Sequence, residues 1–497
     1  MAENGSEERN EIIKIEYSGK STDNALSGKK DEKNIEKREE GTLQEDTKDK
    51  NNTNENKENE SLKVEFSYYA ILIVIIFFLL NFINGMHWVT FASCAAKFGK
   101  FYNLTDLEVD ILSLVFMALY LFTSYPCSYI IDKKSIRWGL NISAILLIIG
   151  ALLKIFINTS IAFAYIGQII TALFQPAILN SPAKLSATWF NEKYRVLITS
   201  ILCSSNTIGV MFGYIVHTFV IDEDTEDSKI FKDDFKSYLQ LEFIISIVCC
   251  VIFIIFMREK PKNPPSNSQI KKENKENKEN KSTYEEVKKL FHNKNYVYLF
   301  ISLSCIVGYV NIIATIFNAY MDMYDITDTQ ASYISGIANF LGIITSIIVA
   351  AIIDKNKKFT LILLLCNILS IVIYIITIIV LELVESKNLY IIIGVLFSFL
   401  IGVAIPIYTS GMDLVCEITY PIGESTSDGV IMVGNQLMGI IGIIITALLR
   451  TYLEKVKVLS NIFCILLFII SLICLFFLHR AKPELKRSKQ DENNNLA

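Results

Sequence analysis

DKKSIR at residues 132–137 and DKNKK at residues 354–358 are the two short charged stretches that decide the fold. Each follows the second apolar segment in a block of six, so one kind of loop recurs at the same point in two successive blocks. Duplicated blocks of six apolar helices are typical of alternating-access transporters. The two loops therefore predict an internally duplicated membrane protein that moves a substrate across a bilayer.

The composition places most of the chain inside a membrane. Apolar residues make up 52% of the 497 residues, and the mean hydropathy is +0.39. A helix needs about 20 apolar residues to cross the hydrocarbon core, and the chain contains twelve such segments. They lie near 67–94, 108–131, 136–157, 160–188, 196–220, 238–257, 295–320, 329–353, 358–382, 388–412, 427–449 and 456–479. The sequence thus predicts an all-α membrane protein with twelve transmembrane helices in two pseudo-symmetric six-helix bundles.

Charged and polar residues are concentrated outside these segments, and they divide the chain. The first 64 residues are rich in Lys, Glu and Asn. Such a segment cannot bury enough apolar area to offset its ordering entropy, which predicts a disordered tail. The predicted organisation is a cytoplasmic tail at 1–64, a first bundle at 65–257, a cytoplasmic linker at 258–294, a second bundle at 295–480 and a cytoplasmic tail at 481–497.

The distribution of basic residues predicts the orientation. The loop at 221–237 is mostly acidic, and residues 321–328 contain no Lys or Arg. The connections on the other side carry Lys133, Lys134, Arg137, Lys193, Arg195, Arg258, Lys355, Lys357 and Lys358. Because cytoplasmic loops have the excess of Lys and Arg, we expect both termini in the cytoplasm. The plasma membrane and an internal membrane remain alternatives.

Four charges at equivalent places of the two halves predict an intracellular gate. Lys184 precedes Arg195 by eleven residues at the end of the fourth span, and Asp413 precedes Glu424 by the same eleven at the end of the tenth. Basic residues of one half would then attract acidic residues of the other across a closing interface. Ordinary surface charge beside helix ends is the alternative interpretation.

The two charged loops match a known pattern in part. The general major facilitator pattern is G-x-x-x-D-R/K-x-G-R/K-R/K, and here Ser128 and Ala350 replace its first glycine while the second is absent. An aspartate at the end of a span can cap neighbouring helices. We therefore expect Asp132 and Asp354, with the basic Arg137, to hold each half together.

Uncharged polar residues occupy the middle of several spans. They are Asn81, Asn84, His87 and Trp88 in the first span, Gln175 in the fourth, Asn311 in the seventh, and Asn435 and Gln436 in the eleventh. Helices one, four and seven line the cavity of a duplicated twelve-helix fold, so these side chains are candidates for substrate contact, with helix–helix contact as the alternative. The middle of these spans carries no Asp, Glu, Lys or Arg, which favours facilitated movement over coupling to an ion gradient.

Several stretches resemble the FLVCR family, the feline leukaemia virus subgroup C receptor-related transporters of the major facilitator superfamily. The matching pieces are NGMHW at 84–88, LSLVFMALY at 112–120, Gly167-Gln168, Gln175, PAKLSATWF at 182–190 and EITYPIGESTSDGVIMVGNQ at 417–436. The resemblance covers the membrane region, near 67–480, and excludes the tail and the linker. It implies the major facilitator fold and transport of choline and ethanolamine, with haem export also ascribed to the family.

The resemblance also implies a binding site. In choline-binding members, a Trp of the first span and a Tyr of the seventh enclose the ammonium group, with Gln residues nearby. Trp88, Gln175 and Gln436 match those places, whereas Asn311 stands where the Tyr would be. The loss of one cage wall matters, because a cation over an aromatic face gains roughly 0.5–2 kcal/mol. His87 and Asn84 complete the set of candidate substrate-binding residues.

Three functions are compatible with these features. The first is a facilitator for a small organic amine such as choline or ethanolamine, in which cation–π contact replaces a charged partner and the membrane potential drives uptake. The second is a haem transporter, for which His87 and His217 are candidate ligands. The third is a non-transporting membrane receptor. We expect a monomer in the lipid bilayer. We do not expect an enzymatic activity, a cofactor, a metal site or a nucleic-acid partner.

Overall fold

The computed structural model describes residues 68–221, 227–263, 266, 283–322, 326, 328–383, 389–452 and 456–492. All regular elements within these ranges are helical, and twelve helices are long and apolar enough to cross a membrane. The predicted all-α membrane class is therefore confirmed. The tail predicted at 1–64, residues 267–282 of the predicted linker and residues 493–497 lie outside the described ranges, and the predicted domain boundaries stay predictions.

The spans are numbered one to twelve in chain order. The first half contains Tyr68–Val89, Asp106–Tyr129, Ile136–Lys154, a fourth span in three pieces (Ala162–Leu173, Gln175–Leu179 and Pro182–Trp189), Arg195–Val220 and Ser228–Phe256. The second half contains Lys294–Asp322, Asp328–Asn356, Phe359–Leu383, Leu389–Thr419, Glu424–Tyr452 and Val456–Ala481. Shorter helices are Ala95–Tyr102, the linker helix Thr283–His292 and the C-terminal helix Lys486–Glu492.

Packing relations between the spans repeat from one half to the other. Span one packs along span five as span seven packs along span eleven, and spans three and six form the same kind of pair as spans nine and twelve. The halves meet where span two packs on span eleven and where span five packs on span eight, two contacts that are equivalent under the repeat. The predicted pair of pseudo-symmetric six-helix bundles is confirmed.

The tenth span is longer than its apolar run suggests. It ends at Thr419 rather than near residue 412, because no proline occurs between residue 412 and Pro421. The residue before a proline disfavours the helical region, which stops the helix there. Asp413 and Glu417 consequently lie on the helix itself and are buried. Two charges that the sequence places beside the span thus belong to the interior of the second half.

The fourth span is broken at the Gln175-Pro176 pair. Pro176 opens the short middle piece of the span, where the missing proline N–H is tolerated because the first N–H groups of a helix have no helical partner. The carbonyl of Phe174 accepts hydrogen bonds from the Ala177 backbone N–H at 3.1 Å and from the Ser143 hydroxyl at 3.0 Å. The break is therefore satisfied by backbone and side-chain donors, and it orients Gln175 at mid-span.

Glycine allows spans one and five to approach closely. A Cβ atom on Gly209 would lie 1.9 Å from the carbonyl oxygen of Phe82, and one on Gly85 would lie 2.3 Å from that of Asn206. Small residues at such interfaces let helix backbones touch, which is how helices associate in lipid. The core of the first half depends on these two glycines.

Gly209→Ala tests this contact. The added methyl group meets backbone that cannot move aside, and we expect a cost of about 1–3 kcal/mol from overpacking, measured as a lower Tm of the detergent-solubilised protein. Gly336→Ala in span eight is the matched control, because nothing lies within 4 Å of its Cβ position. An equal Tm for the two variants would contradict the close approach.

Candidate functional site

The two bundle-loop aspartates lie at one end of the molecule, which we call the basic end because it also carries Lys133, Lys184 and Lys357. Asp132 is buried there, and its Oδ2 accepts hydrogen bonds from the Thr426 backbone N–H at 2.6 Å and the Thr426 hydroxyl at 2.7 Å. Thr426 lies in the first turn of span eleven. Asp132 of the first half thus binds the N-terminus of a helix in the second half.

Asp354 makes the mirrored contact. Its two carboxylate oxygens accept from the backbone N–H groups of Val196 at 3.2 Å and Leu197 at 2.8 Å, in the first turn of span five. The N-terminus of a helix has unpaired N–H groups and a partial positive charge, which attract carboxylates. Both aspartates therefore join the halves, and Asp132 in addition pairs with Lys184 inside its own half.

Arg137 has a different environment from the two aspartates. Its side chain is exposed, and its backbone N–H donates to Glu259 Oε2 at 3.1 Å. Glu259 follows span six and also accepts from the Ile136 N–H at 3.0 Å, so it caps the start of span three. Glu259 and span three belong to the same half, so this cap, unlike those made by Asp132 and Asp354, does not join the two halves.

The predicted gate charges have other partners than the sequence suggests. Lys184 donates to the Ile131 carbonyl oxygen at 2.7 Å and lies 3.1 Å from Asp132 Oδ1, within its own half. Asp413 pairs with Arg487 of the C-terminal helix at 2.8 Å. The predicted Lys184–Asp413 pair is therefore replaced by two pairs inside the halves. Asp132 and Lys184 belong to the same bundle, and the packing of spans two and four places them side by side.

Arg195 does reach an acidic residue of the second half. Its guanidinium lies 3.7 Å from Glu417 Oε1, one helical turn beyond Asp413, and both side chains are buried. Arg195 also donates to Ser266 Oγ at 3.3 Å. Glu424 is buried at the start of span eleven. Among the four predicted gate residues, Arg195 forms an ion pair between the halves, with Glu417.

Hydroxyl groups continue the contact between spans two and eleven. Ser124 donates to the Gly429 carbonyl oxygen at 3.2 Å, and Ser128 donates to that of Ser425 at 2.9 Å. Asn180 of span four donates to both serines, at 3.2 and 3.0 Å. The basic end is thus closed by hydrogen bonds from small side chains to helix backbone.

Asn84 and Gln175, two candidate substrate contacts, are buried and have amide atoms that lack a hydrogen-bond partner among the described residues. Asn84 is fully buried, and neither of its amide atoms has a hydrogen-bond partner among the described residues; the same holds for Gln175 Oε1. Trp88, one turn beyond Asn84, is half-buried. An unpaired buried amide costs free energy, so these groups are available to a polar ligand.

Asn311 and Gln436 are two further candidates, and they lie on spans seven and eleven, which pack against each other. A Cβ atom on Gly439 would lie 3.1 Å from Asn311 Nδ2, and Gly439 follows Gln436 by three residues on the same helix. Gln436 is buried and Asn311 is half-buried. Asn435 faces Met432, with its Nδ2 3.2 Å from the sulfur.

His87 belongs to a buried ionic network rather than to the group of unpaired amides. Its Nδ1 lies 2.7 Å from Lys154 Nζ, and its Nε2 lies 2.9 Å from Ser246 Oγ. Lys154 also donates to Glu242 Oε2 at 3.0 Å, while Thr90 donates to Glu242 Oε1 at 2.6 Å. Ser246 donates its own proton to the Glu242 carbonyl oxygen, so it accepts from His87 and leaves Nδ1 to accept from Lys154. The network is complete and neutral overall.

Sequence reasoning missed Lys154 and Glu242. Lys154 is the last residue of the third helix, and Glu242 lies four residues after the start of the apolar segment predicted for the sixth. In the sequence, both therefore resemble ordinary charges at the ends of spans. The sixth helix begins ten residues earlier than predicted, at Ser228, and both side chains are fully buried. Lys154 and Glu242 carry opposite charges on two spans of the same half, and this feature of the sequence could have predicted the pair.

The fold and the contacts between the halves define a two-bundle transporter. The family model of the Major Facilitator Superfamily matches residues 73–443, and the chain belongs to this superfamily. Its structure is similar to that of FucP in the outward conformation, with a TM-score of 0.64 and 13% identity, covering 82% of this chain and 99% of FucP.

Within the superfamily, the chain is similar to curated relatives of known name. The feline choline/ethanolamine transporter FLVCR1 is 25% identical over 406 residues, covering 80% of this chain and 70% of the relative. Human choline/ethanolamine transporter FLVCR2 is 24% identical over 379 residues, covering 74% and 70%. Solute carrier family 49 member A3 of Xenopus tropicalis is 26% identical over 380 residues, covering 74% and 75%. The resemblance to the FLVCR family is confirmed, and the chain is not expected to be an enzyme.

Glu242→Gln tests the buried network. The substitution leaves the Lys154 ammonium buried without a carboxylate, and breaking a buried pair in this way costs about 3–5 kcal/mol, so we expect a large drop in Tm. Lys154→Met combined with Glu242→Gln removes both charges and should recover most of the loss. Lys489→Ala, which breaks an exposed pair with Glu484, is the control with little change. A double variant no more stable than Glu242→Gln would contradict the pairing.

Proposed function

We propose that this protein carries a small organic amine such as choline or ethanolamine across the membrane as a facilitator that works by alternating access. The names of the FLVCR relatives support this substrate class. The observations that carry the proposal are the unpaired amide atoms of Asn84, one turn before the half-buried Trp88 on span one, and of Gln175 on span four, which packs on span one. Such groups are tolerated in a membrane interior when a ligand completes their hydrogen bonds.

The chemistry of these side chains suits an organic amine. The Trp88 indole offers a π face to an ammonium group, which gains most when the cation is desolvated. The amide oxygens of Asn84 and Gln175 accept hydrogen bonds from an ammonium N–H or a hydroxyl group. The charges of Lys154 and Glu242 neutralise each other, so this pair neither repels a cationic substrate nor demands a coupled ion.

The contacts at the basic end support alternating access. Asp132 and Asp354 bind helix N-termini of opposite halves through hydrogen bonds that can break without covalent change. The excess of Lys and Arg assigns this end to the cytoplasm. We infer a state that is closed to the cytoplasm, with both termini on that side.

Haem is the weaker candidate substrate. His87 would have to give up Lys154 or Ser246 to bind iron, because both ring nitrogens are already engaged. No contact among the described residues favours a receptor without transport.

Trp88→Ala tests the amine proposal. Loss of the cation–π contact of about 2 kcal/mol should raise KM roughly 30-fold for choline and ethanolamine uptake, measured with purified protein in liposomes. Gln175→Ala should weaken ethanolamine uptake more than choline uptake, because the primary ammonium donates hydrogen bonds that the trimethylammonium group lacks.

Trp138→Ala is the matched control, because Trp138 is exposed on the outer surface of span three. Uptake by this variant should equal that of the unchanged protein. Saturable haem flux without any amine flux would overturn the proposed substrate. Amine flux that survives Trp88→Ala unchanged would overturn the proposed site.

Asp132→Asn together with Asp354→Asn tests the gate. Each substitution removes a charge from a helix N-terminus, worth about 0.3–2 kcal/mol, so the basic end should open more often. The measurement is maleimide labelling of Ser425→Cys in inside-out vesicles, quantified by mass spectrometry of the peptide that contains residue 425. Ser425 is buried between spans two and eleven.

Asp233→Asn, on the exposed surface of the span-six helix, is the control for this gate experiment and should leave labelling unchanged. Equal labelling in the double variant and the control would count against the proposed gate. Slower labelling in the double variant would refute it.

A further inference from the structure

Two arginines converge on Glu417 at the basic end. Arg487 Nε lies 2.9 Å from Glu417 Oε1, and the Arg195 guanidinium lies 3.7 Å from the same oxygen. Arg487 also binds Asp413 through its NH2 group at 2.8 Å. The side chains of all four residues are almost completely buried. Burial of this kind makes each charge dependent on its partners.

The two arginines belong to different halves of the molecule. Arg195 begins span five, in the first half. Arg487 lies on the C-terminal helix, which follows span twelve and packs on span ten. The Ser488 backbone N–H donates to Glu417 Oε2 at 2.9 Å, which fixes this helix against the same carboxylate. Arg487 therefore moves with Glu417, and Arg195 does not.

Opening of the basic end would separate only one of these partners from Glu417. When the halves part, Arg195 leaves with the first half. A buried carboxylate that loses its sole partner is strongly destabilised. Arg487 stays in place, and its planar fork continues to bind both Glu417 and Asp413.

We propose that Arg487 is a gating residue, the permanent counter-ion that lowers the free energy of opening at the basic end. The proposal rests on the proposed alternating access and adds a role for the C-terminal helix within it. Without Arg487, Glu417 would depend on Arg195 for its charge compensation, and the two halves would hold together more tightly. The competing role is an anchor that only keeps the C-terminal helix folded onto span ten.

The test is the labelling of Ser425→Cys in inside-out vesicles, which needs no substrate. Arg487→Gln should slow labelling roughly fivefold or more, a typical size for coupling between two sites. Arg195→Gln should speed it, because the closed state then loses one of its ion pairs between the halves. Lys489→Ala, on the same helix but exposed, is the control and should leave the rate unchanged.

An anchor role predicts the opposite sign. If Arg487 only holds the helix, Arg487→Gln exposes the interface and labelling becomes faster or stays equal to that of Lys489→Ala; either result overturns the proposal. Should Arg487→Gln fail to fold, Arg487→Lys keeps the charge but cannot bind both carboxylates, and a slower rate is again required. In a Glu417→Gln background the effect of Arg195→Gln should shrink, and an undiminished effect also overturns the proposal.

Failure of this proposal is distinguishable from failure of the proposed function. If Asp132→Asn with Asp354→Asn speeds labelling while Arg487→Gln does not slow it, the gate exists and the role of Arg487 is refuted. If neither set of variants changes labelling, alternating access at this end is itself refuted. Amine uptake is measured separately, so an error in substrate class changes neither result.

Discussion

The structure depends on two carboxylates that each bind the start of a helix in the opposite half. Asp132 holds span eleven and Asp354 holds span five. A helix N-terminus is a suitable partner because its N–H groups are unpaired and positively polarised. Hydrogen bonds of this kind are strong enough to close an interface, yet water can replace them when the halves separate.

The bilayer imposes a second constraint, since a polar group buried in it must find partners within the protein. The chain meets this constraint in two ways. Lys154, Glu242 and His87 bind one another and the hydroxyl groups of Thr90 and Ser246, which is expected of a network that stabilises a bundle. Asn84 and Gln175 retain unpaired amide atoms, which is expected of groups that bind a passing ligand.

Most of the fold could be predicted from the sequence, because span length and apolar composition are local properties of the chain. The twelve spans and the duplication were both predicted in this way, whereas the break at Gln175-Pro176 came from the structure. Boundaries were less accurate where a helix continues past its apolar run, as at Asp413 and Glu417. The residue types of the candidate site were also predictable, whereas the place of His87 in an ionic network was not.

By itself, the sequence determined which residues carry charge, where the spans lie and that the two halves are equivalent, since each follows from residue type and spacing. Only the tertiary structure decided the partners. Lys184 pairs with Asp132 rather than Asp413, and Glu417 takes two arginines from different halves. The physical reason is that an ion pair forms between the charges that helix packing brings within a few ångströms, and that distance depends on the arrangement of both bundles at once.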